Sequence, residues 1–199
     1  RDGGEVLVDG TPIERLPQKE IAQKAAYLPQ SRSVPNITAG RMVLHGRFPY
    51  LAYPRRYRQE DYVMVDRALN RVGAAELASR PLPELSGGQR QKVYLAMALA
   101  QSTETILMDE PTTYLDVGCQ LEVMALARRL AEEGRAVVMV LHDLTLAFQC
   151  AHRTVLLYEG LICQEGVPEE LYASRALERV MGVSMGRVET EKGWRYFYR

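Results

Sequence analysis

The chain reads as an α/β fold whose core is a parallel sheet flanked by helices, and three observations carry that reading. "TILMDEP" at 105–111 and "AVVMVLHD" at 136–143 each run apolar and then turn polar, as buried parallel strands do at a functional edge. Each is followed by a helical pattern, one from about Gly118 to Glu133 closed by Gly134, the other "LTLAFQCAH". The order strand, helix, strand, helix calls for crossover connections, which set the strands parallel. Ligands of such sheets sit at the carboxyl ends of the strands, so Asp109, Glu110 and His142 become candidate site residues.

The remaining elements follow in chain order. "EVLVDG" at 5–10 predicts a strand ending in an Asp-Gly turn, and "AAYLPQ" at 25–30 a short edge strand stopped by Pro29. From Ile37 to about Arg80 the periodicity becomes helical. There "GRFPYLAYPRRYR" reads as a connector rich in Pro, Tyr and Arg, and "EDYVMVDRALNRVG" as an amphipathic helix ended by Gly73. "LSGGQRQ" at 85–91 opens a helix on Ser86, Gly87 and Gly88, and its unpaired first-turn amides can receive an anion. Beyond 150, "TVLLYEGLICQEG" predicts a hairpin turned at Glu159-Gly160. A helical tail should then run from Pro168 to Met181, and a second hairpin should turn at Lys192-Gly193.

Composition narrows the function. Hydrophobic residues make up 47% of the 199 and charged residues 25%, as in globular chains. Lys and Arg (25) balance Asp and Glu (25), so whole-chain charge gives no argument for a nucleic-acid partner, and any anion site is local. Cys119, Cys150 and Cys163 form neither a close pair nor a Cys-x-x-Cys, which signals neither a disulfide framework nor a zinc knuckle. The apolar runs are far shorter than the roughly 20 residues of a membrane span.

Phosphoryl transfer needs a carboxylate for the metal, a group that activates water, and donors for charge on the terminal phosphate. Asp109, at a strand end, suits Mg²⁺, and Glu110 beside it suits the general base. His142, at the end of the next strand, suits a donor to the phosphate, and Gln30 after "AAYLPQ" adds a metal or water contact. Taken alone, Ser86 and the His142-Asp143 pair are equally readable as helix caps.

The ordered set of motifs resembles the nucleotide-binding subunit of an ABC transporter from Gln30 to the C-terminal tail. "YLPQ" resembles the Q-loop, "LSGGQRQ" the signature, "ILMDEP" the Walker B strand, "TTYLD" the D-loop and "VLHD" the switch-histidine loop. The resemblance implies a P-loop NTPase (RecA-like) parallel-sheet core carrying an ABC α-helical subdomain, with ATP and Mg²⁺ as cofactors. It implies that Gln30 senses Mg²⁺, Asp109 holds it, Glu110 is the base and His142 meets the terminal phosphate. Ser86, Gly87, Gly88 and Gln89 would contact nucleotide held by the opposite subunit of a head-to-tail dimer, and Asp116 would couple the two sites. Segments 1–36 (core edge and Q-loop), 37–101 (helical subdomain with signature helix) and 102–199 (core and tail) would form one ABC ATPase domain.

Further partners implied are two transmembrane permease subunits, whose coupling helices would lie along the helical segment, and indirectly a solute-binding protein. The location implied is the cytoplasmic face of the membrane. The stretches "VLHGRFPYLAYPRRYRQEDYVMVDRALNRVG", "DEPTTYLDVGCQLEV" and "HDLTLAFQCAHRTVLLYEG" resemble importers of iron chelates such as ferric siderophores, with haem and cobalamin importers close by. The family's glycine–lysine loop, G-x-x-x-x-G-K-[ST], is not among these 199 residues. The resemblance places it before "GGEVLVDG", which makes a chain cut short at its N-terminus, unable by itself to hydrolyse ATP, the expectation. A non-transport ABC ATPase and a non-catalytic interaction module are the alternatives.

Overall fold

Asp9 and Gly10 take positive φ (50° and 76°) and turn β1 (Leu7–Val8) back on β2 (Thr11–Pro12). The turn falls at Asp9-Gly10 as "EVLVDG" predicts, while the strand is shorter than expected because only Leu7 and Val8 pair with the returning chain. In this computed structural model the described residues are 3–30, 33–191 and 193–199, and they fall into two units, 1–140 and 141–199, each treated by itself below. Among the described residues no helix is long and apolar enough to cross a membrane.

The first unit is organised by a parallel sheet of order β3 (Ala25–Leu28), β4 (Thr105–Asp109), β5 (Ala136–Val140). Helix α1 (Gln18–Lys24) leads straight into β3. Between β3 and β4 come α2 (Ala39–Leu44), α3 (Gln59–Arg71) and α4 (Gly87–Ala100), and α5 (Val117–Glu132) crosses from β4 to β5. The helix limits follow sequence signals: Thr38 caps α2, Ser86 α4 and Asp116 α5, while Gly73 and Gly134 follow the ends of α3 and α5 at φ +63° and +88°.

Both strand runs were expected to be buried, and only one sheet face is. Ala26, Leu28, Ile106 and Met108 enter the core with Val43, Leu69, Val93 and Leu130. On the other face Tyr27, Leu107 and Val138 lie in one cross-strand row at 57%, 37% and 56% exposure. A continuous apolar run cannot distinguish burial of two faces from burial of one, and the described residues bury one.

The stretch read as a connector is more ordered than expected. Residues His45–Tyr50 form a 3-10 helix packed on α2 and α4. Gly46 lies so close to α4 that a Cβ would stand 2.2 Å from the Met97 carbonyl oxygen. Arg47 is 9% exposed, bonding Asp61 (2.9 Å) through Nε and the Ala100 carbonyl (2.9 Å) through Nη1. Asp61 also accepts the Arg58 amide at 2.9 Å, so one carboxylate both starts α3 and neutralises a buried guanidinium.

The second unit begins with α6 (Leu144–Cys150), followed by the hairpin β6 (Thr154–Tyr158) and β7 (Leu161–Gly166), turned at Glu159 and Gly160 with φ +49° and +77°. The helical tail expected over 168–181 is two helices, α7 (Pro168–Ala173) and α8 (Ala176–Met181). Arg175 separates them in a left-handed conformation, φ +53°, that an α-helix cannot continue through. β8 (Met185–Thr190) and β9 (Gly193–Tyr198) close the chain as an antiparallel pair. Gly193 pairs with Thr190 and so opens the return strand; Lys192, part of the expected turn, lies outside the described residues. Phe148, Leu156, Leu171, Leu177 and Tyr196 form a separate core, with Trp194 packed against it and Arg187 stacked on Trp194 at 4.1 Å.

Candidate functional site

Parallel pairing brings the carboxyl ends of β3 and β4 side by side, and the residues just past those ends meet. Gln30 Nε2 donates to Glu110 Oε2 at 2.5 Å, and Thr113 Oγ1 donates to the same oxygen at 3.0 Å. Asp109, the last residue of β4, accepts the Tyr27 hydroxyl at 3.3 Å. Glu110 extends the ladder by one bond, its amide reaching the Val140 carbonyl at 3.1 Å, and it does so at φ +46°. A non-glycine residue in that region, placed before a proline, is uncommon and collects at functional sites. Thr113 was missed in the sequence; the signal available was its position three residues after an acid in a turn, a reach at which a hydroxyl bonds back.

The signature stretch starts α4 as the glycines predict. Ser86 Oγ accepts the Gln89 amide at 3.3 Å while Gln89 Oε1 accepts the Ser86 amide at 3.1 Å, a reciprocal cap. Ser86 and Gly87 are exposed, and a Cβ on Gly87 would meet nothing within 4 Å. At Gly88 it would stand 2.7 Å from Cys119 Sγ, so here glycine serves the approach of α5. Asp116 is exposed and caps α5 by accepting the Cys119 amide at 2.9 Å; hydrogen bonds from the Cys119 amide and thiol hold its carboxyl below the ordinary range. Glu110 and Asp116 are therefore the two ends of one tight turn, 110–116, between β4 and α5.

His142 falls in the second unit, two residues beyond the end of β5, and is exposed. The next residue, Asp143, caps α6 through the amides of Thr145 (2.8 Å) and Leu146 (3.2 Å), and the Leu144 amide donates to the Tyr198 hydroxyl at 3.1 Å. Burial pushes the Asp143 carboxyl up, but the bonds from Thr145, Leu146 and Tyr198 outweigh it, leaving the group more acidic than usual. The segment carrying His142 is thus fixed on its C-terminal side.

Among the described residues no three His, Cys, Asp or Glu gather as a ready-made metal cage. The Asp109 carboxylate and the Gln30 amide are hard oxygen donors, and they fit Mg²⁺ in the manner that relies on one or two protein oxygens plus phosphate and water.

The chain is similar in sequence and fold to known proteins. The ABC transporter family matches residues 1–113, more than half of the chain. The "Probable siderophore transport system ATP-binding protein YusV" of Bacillus subtilis (strain 168) is 44% identical over 184 residues, spanning 92% of this chain and 67% of that protein. The hemin import ATP-binding protein HmuV of Rhodococcus jostii (strain RHA1) is 43% identical over 180 residues, 90% of this chain and 61% of that one. A solved dimeric ATP-binding cassette in a post-hydrolysis state, bound to ADP and Pi, superposes with a TM-score of 0.71 at 27% identity, covering 84% of this chain and 74% of that one. A parallel sheet whose edge gathers Gln30, Asp109 and Glu110, a glycine-opened helix capped by Ser86, and these likenesses lead to one conclusion: the chain belongs to the ABC transporter family, as an ATP-binding domain with the P-loop NTPase fold.

Proposed function

We propose that this domain, when completed by a glycine–lysine loop, hydrolyses ATP to ADP and phosphate, with Mg²⁺, to energise an ABC importer of an iron(III) chelate such as a siderophore or haem, or of cobalamin. The observation that carries the catalytic half is the triple meeting of Gln30, Glu110 and Thr113 at the carboxyl edge of the sheet. Two donors on one oxygen orient the Glu110 carboxylate, and an oriented carboxylate beside a metal ligand suits a general base. In the proposed step Glu110 takes a proton from water as its oxygen bonds the γ-phosphorus, and the bond from that phosphorus to the ADP oxygen breaks. Asp109 would hold Mg²⁺, which when bound would supply charge neutralisation on the phosphates. Gln30 links the metal to the permease side, and His142 donates to the terminal phosphate.

Ser86, Gly87, Gly88 and Gln89, whose helix start is exposed at Ser86 and Gly87, would serve nucleotide bound to the opposite subunit of a head-to-tail dimer, with Asp116 coupling the two sites. Closure of that dimer would pull on two transmembrane permease subunits at the cytoplasmic face of the membrane, fed by a solute-binding protein. Within the one domain, segments 1–36, 37–101 and 102–199 would serve as core edge with Q-loop, helical subdomain, and core with tail. Iron chelates are favoured as solute because the siderophore and hemin relatives are 44% and 43% identical.

The test compares two proteins: the 199 residues, which contain no glycine–lysine loop, and a version carrying one upstream. The first should neither bind nor hydrolyse ATP, and robust hydrolysis by it would defeat the proposal. In the second, Glu110→Gln should keep ATP binding and lower turnover by at least about a hundredfold, the scale of losing a base. Turnover that survived this change would remove Glu110 from the base role. If the extended version bound no nucleotide at all, the domain would be an interaction module.

A further inference from the structure

What holds Glu110 in its left-handed conformation is the turn that follows it. Pro111 is fully buried and Thr112 is 7% exposed. The Pro111 carbonyl accepts Gln91 Nε2 at 2.7 Å, and the Thr112 and Leu115 carbonyls accept Gln120 Nε2 at 3.3 and 3.2 Å. Inside the turn the Thr113 amide returns to the Glu110 carbonyl at 3.3 Å, while the Thr113 hydroxyl takes the Glu110 carboxylate. The peptide next to Glu110 is therefore fastened from outside by one side chain of α4 and one of α5.

Gln91 lies on the 14-residue helix that Ser86 caps and Gly87–Gln89 open, two residues beyond the signature end. Three residues before it on α4, Gly88 rests against Cys119 of α5, so α4, α5 and the 110–116 turn form a closed loop of contacts. A small rotation of α4 must either break the Gln91 bond or carry Pro111 with it, and packed contacts of this kind shift between discrete arrangements.

We propose that Gln91 is a positioning residue for hydrolysis, tying the signature helix to the peptide that carries Glu110. Loading of the exposed helix end by a partner's nucleotide then changes where the Glu110 carboxylate of the same chain stands. This rests on the reading of Glu110 as base, and it gives each subunit an internal route from the site it completes for its partner to the site it serves itself.

Gln91→Met keeps the length and flexibility of the side chain and removes the donor; Gln91→His keeps an N–H at similar reach. In a version carrying the glycine–lysine loop, Gln91→Met should lower kcat roughly tenfold with KM for ATP nearly unchanged, and Gln91→His should restore a substantial part. In the 199-residue chain, hydrogen exchange at the Thr113 and Leu115 amides should quicken roughly tenfold in Gln91→Met while exchange along α4 stays as it was. Wild-type kcat and wild-type exchange in Gln91→Met would overturn the proposal, and so would faster exchange throughout α4, which marks a structural role only. Glu110→Gln measured alongside separates the two ideas. Turnover surviving there removes the base assignment, whereas turnover lost there with Gln91→Met unaffected leaves the base standing and sinks the coupling.

Discussion

Single residues show where a motif states its own reason and where it does not. The serine and first glycine of "LSGGQRQ" are legible: Ser86 caps α4, and Gly87 leaves the helix start open. The second glycine looks the same in sequence, but its requirement comes from Cys119, 31 residues later, whose sulfur would stand 2.7 Å from a Cβ at position 88. Gly88→Ala should therefore cost about 1–3 kcal/mol through overpacking. Combined with Cys119→Ala, whose own Cβ lies at an ordinary 3.7 Å, the same change should become neutral or stabilise by up to about 1 kcal/mol from helix propensity. Thermal unfolding of the four proteins of this cycle reads the sign change, and equal costs in both backgrounds would refute the contact. Thr113 and Gln91 escaped the sequence reading for a related reason, since each acts through one hydrogen bond that exists only once the turn after β4 is folded.

At the scale of elements, strands and helices were legible from periodicity and caps, and the failures are physical. The 168–181 helix breaks because Arg175 adopts a left-handed conformation without being a glycine or asparagine, so composition gives no warning. The 46–58 segment reads as a connector because Pro, Tyr and Arg resemble solvent-facing residues, whereas Arg47 is buried against Asp61 and Ala100. That pair carries a pH dependence. Burial alone would raise the Asp61 carboxyl, but the Arg58 amide and the Arg47 guanidinium more than offset it, and the group ends below its ordinary value. A carboxyl depressed in the folded state contributes stability that is present above its unfolded pKa of about 3.9 and is lost as pH falls through the folded value. Asp61→Asn should therefore lower stability at pH 7 by about 3–5 kcal/mol, leaving a buried guanidinium uncompensated. It should also flatten the decline below about pH 4, as measured by urea midpoints across pH. An unchanged acid slope would show that the pair is not coupled to folding.

For the whole molecule, the alternation of strands and helices made the α/β class legible, while the number of cores was not. One core gathers β3, β4 and helices α2 to α5, and a separate one gathers α6 to α8 with β8 and β9. A sequence shows which residues are apolar but not how they partition. The balance of 25 basic against 25 acidic residues has a consequence at this scale too. Without net charge near neutral pH, self-repulsion is weakest there. Light scattering at fixed protein concentration should accordingly be highest near pH 7 and fall about one unit to either side at low salt; a flat profile would mean that local charge patterns govern association instead.

The stack of Arg187 on Trp194 gives the protein an optical property. Trp194 is the sole tryptophan, and it belongs to the core of residues 141–199, so emission excited at the red edge of protein absorbance arises from that unit alone. Far-ultraviolet dichroism arises from the peptide backbone of both units, so it and tryptophan emission sample different parts of one chain. The residue that packs the C-terminal hairpin is also a native chromophore, by which the segment following His142 can be watched without a label.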